Sequence, residues 1–301
     1  MNKRNKNYQQ RNLIRTTKMS SIYEKITFFA SLFTPWWTGV PTKLIRKTTL
    51  VQPSVPINSK EYVNATHFAV HTLTFEVPQG CTFGGLAIPH SDIRIDLGDV
   101  VKMVIPGYKP KSYSVSAYRP KTNEMDVTIK VYPNGRASGH LDRLKIGSTI
   151  NTFGMSARKK RNSGKFFGGI AYGVGITEIL PVAEFELKKG DAEKVVVLWA
   201  SRTSKDVFWQ DKITKLEKEY PDKFEMVQIY SREESPDPAI LKGRINPLIL
   251  QEVFEPRIEK AKIKKDDARF LAVGTKSMIS LTGTMLTKIG FPMPKHALIK
   301  K

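Results

Sequence analysis

The apolar pattern of this chain changes once, near residue 158, and that change restricts the fold more than any other feature. Before it, short runs alternate apolar and polar residues and stop at turn residues: 70–77 at Pro78-Gln79-Gly80, 100–105 at Pro106-Gly107, and 125–132 at Pro133-Asn134-Gly135. A period of two with such punctuation, and no long helical period, predicts an antiparallel barrel or sandwich. After it, strands alternate with helices, which predicts a parallel sheet. Strands are expected at 166–172, 194–200, 224–230 and 269–273, and helices at 178–188, 206–220, 247–254 and 278–289. The 194–200 run is continuously apolar, as strands buried on both faces are.

At 301 residues the chain has room for two domains, and the pattern divides it into a leader over 1–44, a β-domain over 45–157 and an α/β domain over 158–301. Hydrophobic residues at 40% and charged residues at 26% exclude a disordered chain and a polytopic membrane protein. A single cysteine, Cys81, excludes a disulfide scaffold and any cysteine-built metal centre. The five histidines lack HExxH spacing, so no metal is expected.

The net charge of +21 attracts anions: nucleic acid, anionic lipid, acidic proteins or phosphorylated small molecules. Residues 1–50 hold ten Lys/Arg against one acid, Glu24, so much of the excess lies in the leader. Its aromatic stretch, with Phe28, Phe29, Phe33, Trp36 and Trp37, is interrupted by Pro35 and falls short of the roughly 20 apolar residues a spanning helix needs. It reads as a targeting presequence, as a segment lying in a membrane interface, or as an aromatic stretch packed on the folded body.

Three segments carry chemistry. Lys111-Ser112-Tyr113-Ser114 places a cation and a ring on one face of a strand and two hydroxyls on the other. Gly135-Arg136-Ala137-Ser138 is a glycine turn where a helix can start, a composition that holds phosphate with backbone N–H groups. Gly173-Val174-Gly175-Ile176-Thr177 is a second turn between strand and helix; alone it fits a tight turn as well as a nucleotide cradle.

Taken in order, these segments resemble the ferredoxin–NADP reductase superfamily, nearest its cytochrome-b5 reductase branch. The resemblance runs from about Lys47 to Gly290. It implies an antiparallel flavin-binding barrel followed by a parallel-sheet nucleotide-binding domain, with FAD and NADPH or NADH as cofactors. It gives the catalytic positions to Tyr113 on the isoalloxazine, Ser114 at the flavin N5 edge and Thr177 at the nicotinamide. Flavin phosphate contacts fall to Lys111, where the family has arginine, and to Gly135, Arg136, Ala137 and Ser138. Nucleotide contacts fall to Gly173, Gly175, Thr177, Gly274 and Met278. Ser201, Arg202 and Arg232 resemble the Ser-Arg contacts of NADPH-using relatives.

The chain departs from the family at Tyr172 (glycine), Glu178 (proline), Val273 (cysteine) and Thr275 (proline). The function implied is electron transfer from NAD(P)H through FAD to a redox protein or a small-molecule acceptor. The alternative is a non-enzymatic flavoprotein on the same fold. An organellar (mitochondrion or plastid) or membrane-associated location is expected from the leader, and nucleic acid has no part in this reading.

Overall fold

A computed structural model of the chain describes residues 40–77, 82–83, 86–87, 100–119, 121–154, 164–189, 191–292 and 296–299. Residues 1–39 of the leader expected over 1–44, and Cys81, lie outside the described residues; residues 40–44 belong to the first barrel strand rather than to a leader. Six strands close an antiparallel barrel: β1 (Val40–Val51), β2 (Val70–Glu76), β5 (Val100–Met103), β6 (Lys111–Arg119), β7 (Glu124–Lys130) and β8 (Thr149–Gly154), in the order β1-β2-β7-β6-β5-β8. The short strands β3 (Thr82–Phe83) and β4 (Leu86–Ala87) pair with each other. One short helix, α1 (Arg136–Arg143), follows β7.

Closure satisfies every strand edge and encloses a core of Leu44, Leu73, Phe75, Met103, Met125, Val127 and Leu141. The first strand is not among those expected from the sequence. Its inward face is thinly apolar: Thr42, fully buried, bonds the Thr152 hydroxyl at 2.8 Å where an aliphatic residue would announce a strand.

The second half is a six-stranded parallel sheet in the order β12-β11-β10-β9-β13-β14. Its strands are β9 (Phe166–Tyr172), β10 (Lys194–Ser201), β11 (Phe224–Tyr230), β12 (Leu241–Lys242), β13 (Ala268–Val273) and β14 (Ala297–Ile299). Helices α2 (Ile176–Lys189) and α3 (Gln210–Glu219) cover one face, and α4 (Pro247–Lys260) and α5 (Lys276–Lys288) the other. Val51 and Val70 of the barrel join the apolar cluster beneath α2 and α3, so the domains share a core.

Two helix boundaries differ from expectation by more than two residues. The helix expected over 206–220 starts at Gln210, because Trp209 has φ +61°, which no residue within a right-handed helix can hold. The helix expected to stop at 254 continues to Lys260 through Pro256. Proline's missing N–H frees the Glu252 carbonyl, and the Arg257 guanidinium donates to it at 3.4 Å and to the Val253 carbonyl at 2.8 Å.

Candidate active site

The candidate segments converge where the barrel meets the sheet. A cleft of about 710 Å³ is lined from the barrel by Tyr108, Lys111, Tyr113, Thr128, Lys130, Tyr132 and the 135–138 turn, and from the second domain by Val174. Among the described residues three cations and no carboxylate line it, which suits an anionic ligand. The Lys111 ammonium and the Arg136 guanidinium lie 5.1 and 5.9 Å from the centre of the Tyr108 ring, so one ring contacts both charges. Tyr108 was not among the residues expected; the turn Pro106-Gly107 just before it was the only signal.

Gly135 caps α1, and the helix offers its first N–H groups to the cleft. A Cβ at Gly135 would lie inside 3.0 Å of Ser138 Oγ, so the turn admits only glycine without rearrangement. Ala137 and Ser138 are buried beneath it, and Ser138 Oγ accepts the Tyr132 N–H at 3.2 Å. Ser138 therefore shapes the turn. Tyr113 lies on β6 opposite Val101, packed against the barrel core. Burial pushes its phenol up to about 12, so it is a neutral ring at any physiological pH.

In the second domain, Gly173, Gly175 and Thr177 form the turn into α2. The Trp199 indole N–H donates to the Gly173 carbonyl at 2.8 Å, and Thr177 Oγ1 donates to the Val174 carbonyl at 2.9 Å. Gly175 packs on the end of β13, where a Cβ would lie inside 3.0 Å of the Val273 carbonyl oxygen. That contact brings the Gly173–Gly175 turn against Gly274. Gly274 in turn lies under Tyr172, whose hydroxyl bonds Thr282 at 2.7 Å. Thr275 caps α5, accepting the Met278 N–H at 3.3 Å. Two of the departures from the family pattern, Tyr172 and Thr275, are thus accounted for by local packing and capping.

Ser201 and Arg202 end β10, and their carbonyls accept the N–H groups of Ser231 and Arg232, which brings both arginines to the carboxyl edge of the sheet. This is where parallel sheets bind nucleotides. Ser201 Oγ is buried with no hydrogen-bond partner among the described residues, an orphan that a ligand there would satisfy. Arg232 is exposed, whereas the Arg202 guanidinium stacks on Phe68 of the barrel. Glu233 accepts from both Ser204 N–H (3.0 Å) and Ser204 Oγ (2.7 Å), and that pairing holds its carboxyl below the usual range.

The family's proline position holds Glu178, 4% exposed on the first turn of α2. Its carboxylate turns towards the barrel and accepts the Ser114 hydroxyl at 2.8 Å. The candidate residues thus form two facing groups: the barrel cleft, and the turns at the carboxyl ends of β9, β10 and β13. The Ser114–Glu178 bond joins them.

Both groups fit the implied cofactors. The glycine-capped helix and three cations suit a dinucleotide pyrophosphate, and the orphaned Ser201 hydroxyl at a strand end suits a pyridine nucleotide. Comparison with known proteins agrees. Residues 82–159 match the oxidoreductase FAD-binding domain, and residues 170–283 match the oxidoreductase NAD-binding domain. NADH-cytochrome b5 reductase 1 of Scheffersomyces stipitis is 28% identical over 225 residues, covering 73% of this chain and 74% of the relative. The Arabidopsis thaliana NADH–cytochrome b5 reductase 1 is 29% identical over 185 residues, 59% of this chain and 64% of the relative.

Among solved structures, the CS-b5R domains of human Ncb5or in the NAD+ form share the fold with a TM-score of 0.67 at 19% identity, over 87% of this chain and 69% of that one. A Neisseria gonorrhoeae ferredoxin NADP+ reductase with bound FAD and NADP does so with a TM-score of 0.59 at 17% identity, over 85% and 97%.

Proposed function

The chain belongs to the ferredoxin–NADP reductase superfamily, and on that premise we propose how its residues carry electrons from a reduced pyridine nucleotide through FAD to an acceptor. It is an FAD-dependent NAD(P)H oxidoreductase. FAD, when bound, supplies the hydride-accepting and electron-releasing chemistry, and the protein supplies binding, orientation and electrostatics.

Lys111 and Arg136 hold the flavin pyrophosphate together with the N–H groups of the 135–138 turn. Tyr113 packs on the isoalloxazine, and Ser114 stands at its N5 edge. The Gly175–Thr177 side of the second turn, with Gly274 and Met278, positions the nicotinamide. Ser201, Arg202 and Arg232 take the adenosine end; Arg232, the exposed one, favours NADPH over NADH, while Arg202 is held on Phe68. The observation that carries this reading is the cleft that Lys111, Lys130 and Arg136 make cationic, with the barrel on one wall and the Val174 turn on the other.

The acceptor we propose is a small redox protein with an acidic face, matched to the charge of +21. Two relatives are named NADH-cytochrome b5 reductase 1, which supports a redox protein as the acceptor. The leader directs the chain to an organelle or a membrane surface. Among the described residues no helix is long and apolar enough to cross a membrane.

The direct test of the cofactor assignment is the colour of the purified full-length chain. It is yellow and releases FAD on denaturation, and Tyr113→Ala lowers flavin retention, since ring stacking contributes on the order of 0.5–1.5 kcal/mol beyond area burial. A colourless protein that does not take up added FAD contradicts the assignment.

A further inference from the structure

Ser114 and Glu178 sit in different domains and 64 residues apart, yet they are directly bonded. Ser114 lies on β6, opposite Val100 of the barrel, and Glu178 on the first turn of α2, at the edge of the nucleotide-binding turn. The serine hydroxyl donates to Glu178 Oε2 at 2.8 Å, and Glu178 is 4% exposed. A serine hydroxyl has one proton and two lone pairs. With its proton committed to Glu178, Ser114 Oγ offers only lone pairs to whatever stands on its other side.

We propose that Glu178 is a positioning residue that fixes the direction of the Ser114 hydroxyl, so that Ser114 acts at the flavin N5 edge as a hydrogen-bond acceptor. This rests on the reading that places Ser114 beside N5. Oxidised flavin presents a lone pair at N5, and reduced flavin presents an N–H there. An accepting Ser114 complements the reduced form and gives the oxidised form no donor. Glu178 therefore biases the oxidation–reduction equilibrium of the flavin towards reduction, without touching it. The arrangement exists only while the domains are docked, because donor and acceptor come from opposite sides of the interface. The charge of Glu178 acts in the other direction, since an anion near the flavin opposes the arrival of electrons. A fair test separates the two effects.

Glu178→Gln keeps an acceptor oxygen of similar reach and removes the charge; Glu178→Leu removes both. The measurement is the flavin midpoint potential of the full-length, FAD-loaded protein, taken by equilibration with reference dyes and without turnover. It is made for both variants in the natural and the Ser114→Ala backgrounds. With Ser114 present, the ratio of reduced to oxidised flavin at a fixed applied potential is expected to be roughly two- to tenfold lower in E178L than in E178Q, the span of one hydrogen bond. In the Ser114→Ala background the two variants are expected to coincide.

Equal potentials for E178Q and E178L with Ser114 present would overturn the proposal. So would an equal difference in both backgrounds, which would mean that Glu178 acts on the flavin through packing alone. Ser114→Ala by itself is the control on the underlying reading: if it leaves the potential of the otherwise natural protein unchanged, Ser114 is not beside N5, and the site assignment fails first. Flavin content verifies that each variant is folded, and Glu178→Met stands in for Leu if the latter does not fold.

Discussion

The Arg202 guanidinium lies 4.9 Å from the centre of the Phe68 ring, so a residue at the nucleotide-binding edge of the sheet is stacked on the barrel. Beside it, Lys130 of β7 lies 3.5 Å from Asp206, whose side chain is 5% exposed, and 5.6 Å from the same ring. Cations from both domains thus lie over one aromatic ring at the interface.

This divides the work of the two arginines. Arg232 is exposed and, among the described residues, stacked on no ring, so it is the better reader of a 2′-phosphate. Arg232→Ala is expected to raise the NADPH concentration needed to reduce the flavin roughly ten- to hundredfold, the loss of one charge-assisted bond of about 1.5–3 kcal/mol, and to leave the NADH requirement nearly unchanged. Arg202→Ala is expected to raise both requirements and to lower thermal stability, since a cation–ring contact contributes about 0.5–1 kcal/mol at an exposed site. Anaerobic titration of each variant with both nucleotides distinguishes the two roles.

Two glycines separate the cofactors. Gly135→Ala puts a Cβ against Ser138 Oγ and Tyr132 O, so flavin retention is expected to fall. Gly175→Ala puts one against the Val273 carbonyl, a backbone atom that cannot swing away, so the nucleotide turn is expected to shift while flavin stays bound. Flavin content and the rate of flavin reduction, measured on both variants, check this. Equal flavin loss in both would contradict the separate placement of the two sites.

The barrel also carries a pH dependence. Burial alone would raise the Asp126 carboxyl, but hydrogen bonds from Arg119 at 2.6 and 2.9 Å and from Thr74 at 2.8 Å hold it below the usual carboxylate range. A carboxyl whose folded pKa is depressed stabilises the fold above its unfolded value of about 3.9, and that contribution is lost as pH falls from there through the lower folded pKa. Asp126→Asn is expected to lower the thermal midpoint at pH 7 by the equivalent of roughly 1 kcal/mol, a figure kept small because Arg119 is partly exposed. The difference from the natural protein should shrink towards pH 3. A difference constant with pH would mean that Asp126 is not charged in the fold.

Much of this architecture is legible in the sequence, because strands and helices announce themselves by period and glycine turns mark the ends of both. The four long strands of the parallel sheet, and the turns at 135 and 173, follow from those signals. The first strand escapes because threonines carry part of its buried face. The start of α3 escapes because a left-handed tryptophan leaves no trace in composition. The full length of α4 escapes because Arg257 repairs what Pro256 breaks, and only coordinates reveal such a repair. Glu178 is visible in the sequence only as a carboxylate where the family has proline, a charge set against a phosphate-binding turn. Its partner, Ser114, lies in another domain, and no local pattern connects the two.

This chain moves electrons from a reduced pyridine nucleotide into bound FAD. The decisive observable is absorbance near 450 nm of the FAD-loaded, full-length protein, mixed with NADPH or NADH in the absence of oxygen. The band is expected to bleach with both nucleotides, at a lower concentration of NADPH than of NADH, and to return when oxidant is admitted. A band that persists with either nucleotide at saturating concentration, in protein shown to hold FAD, would contradict it.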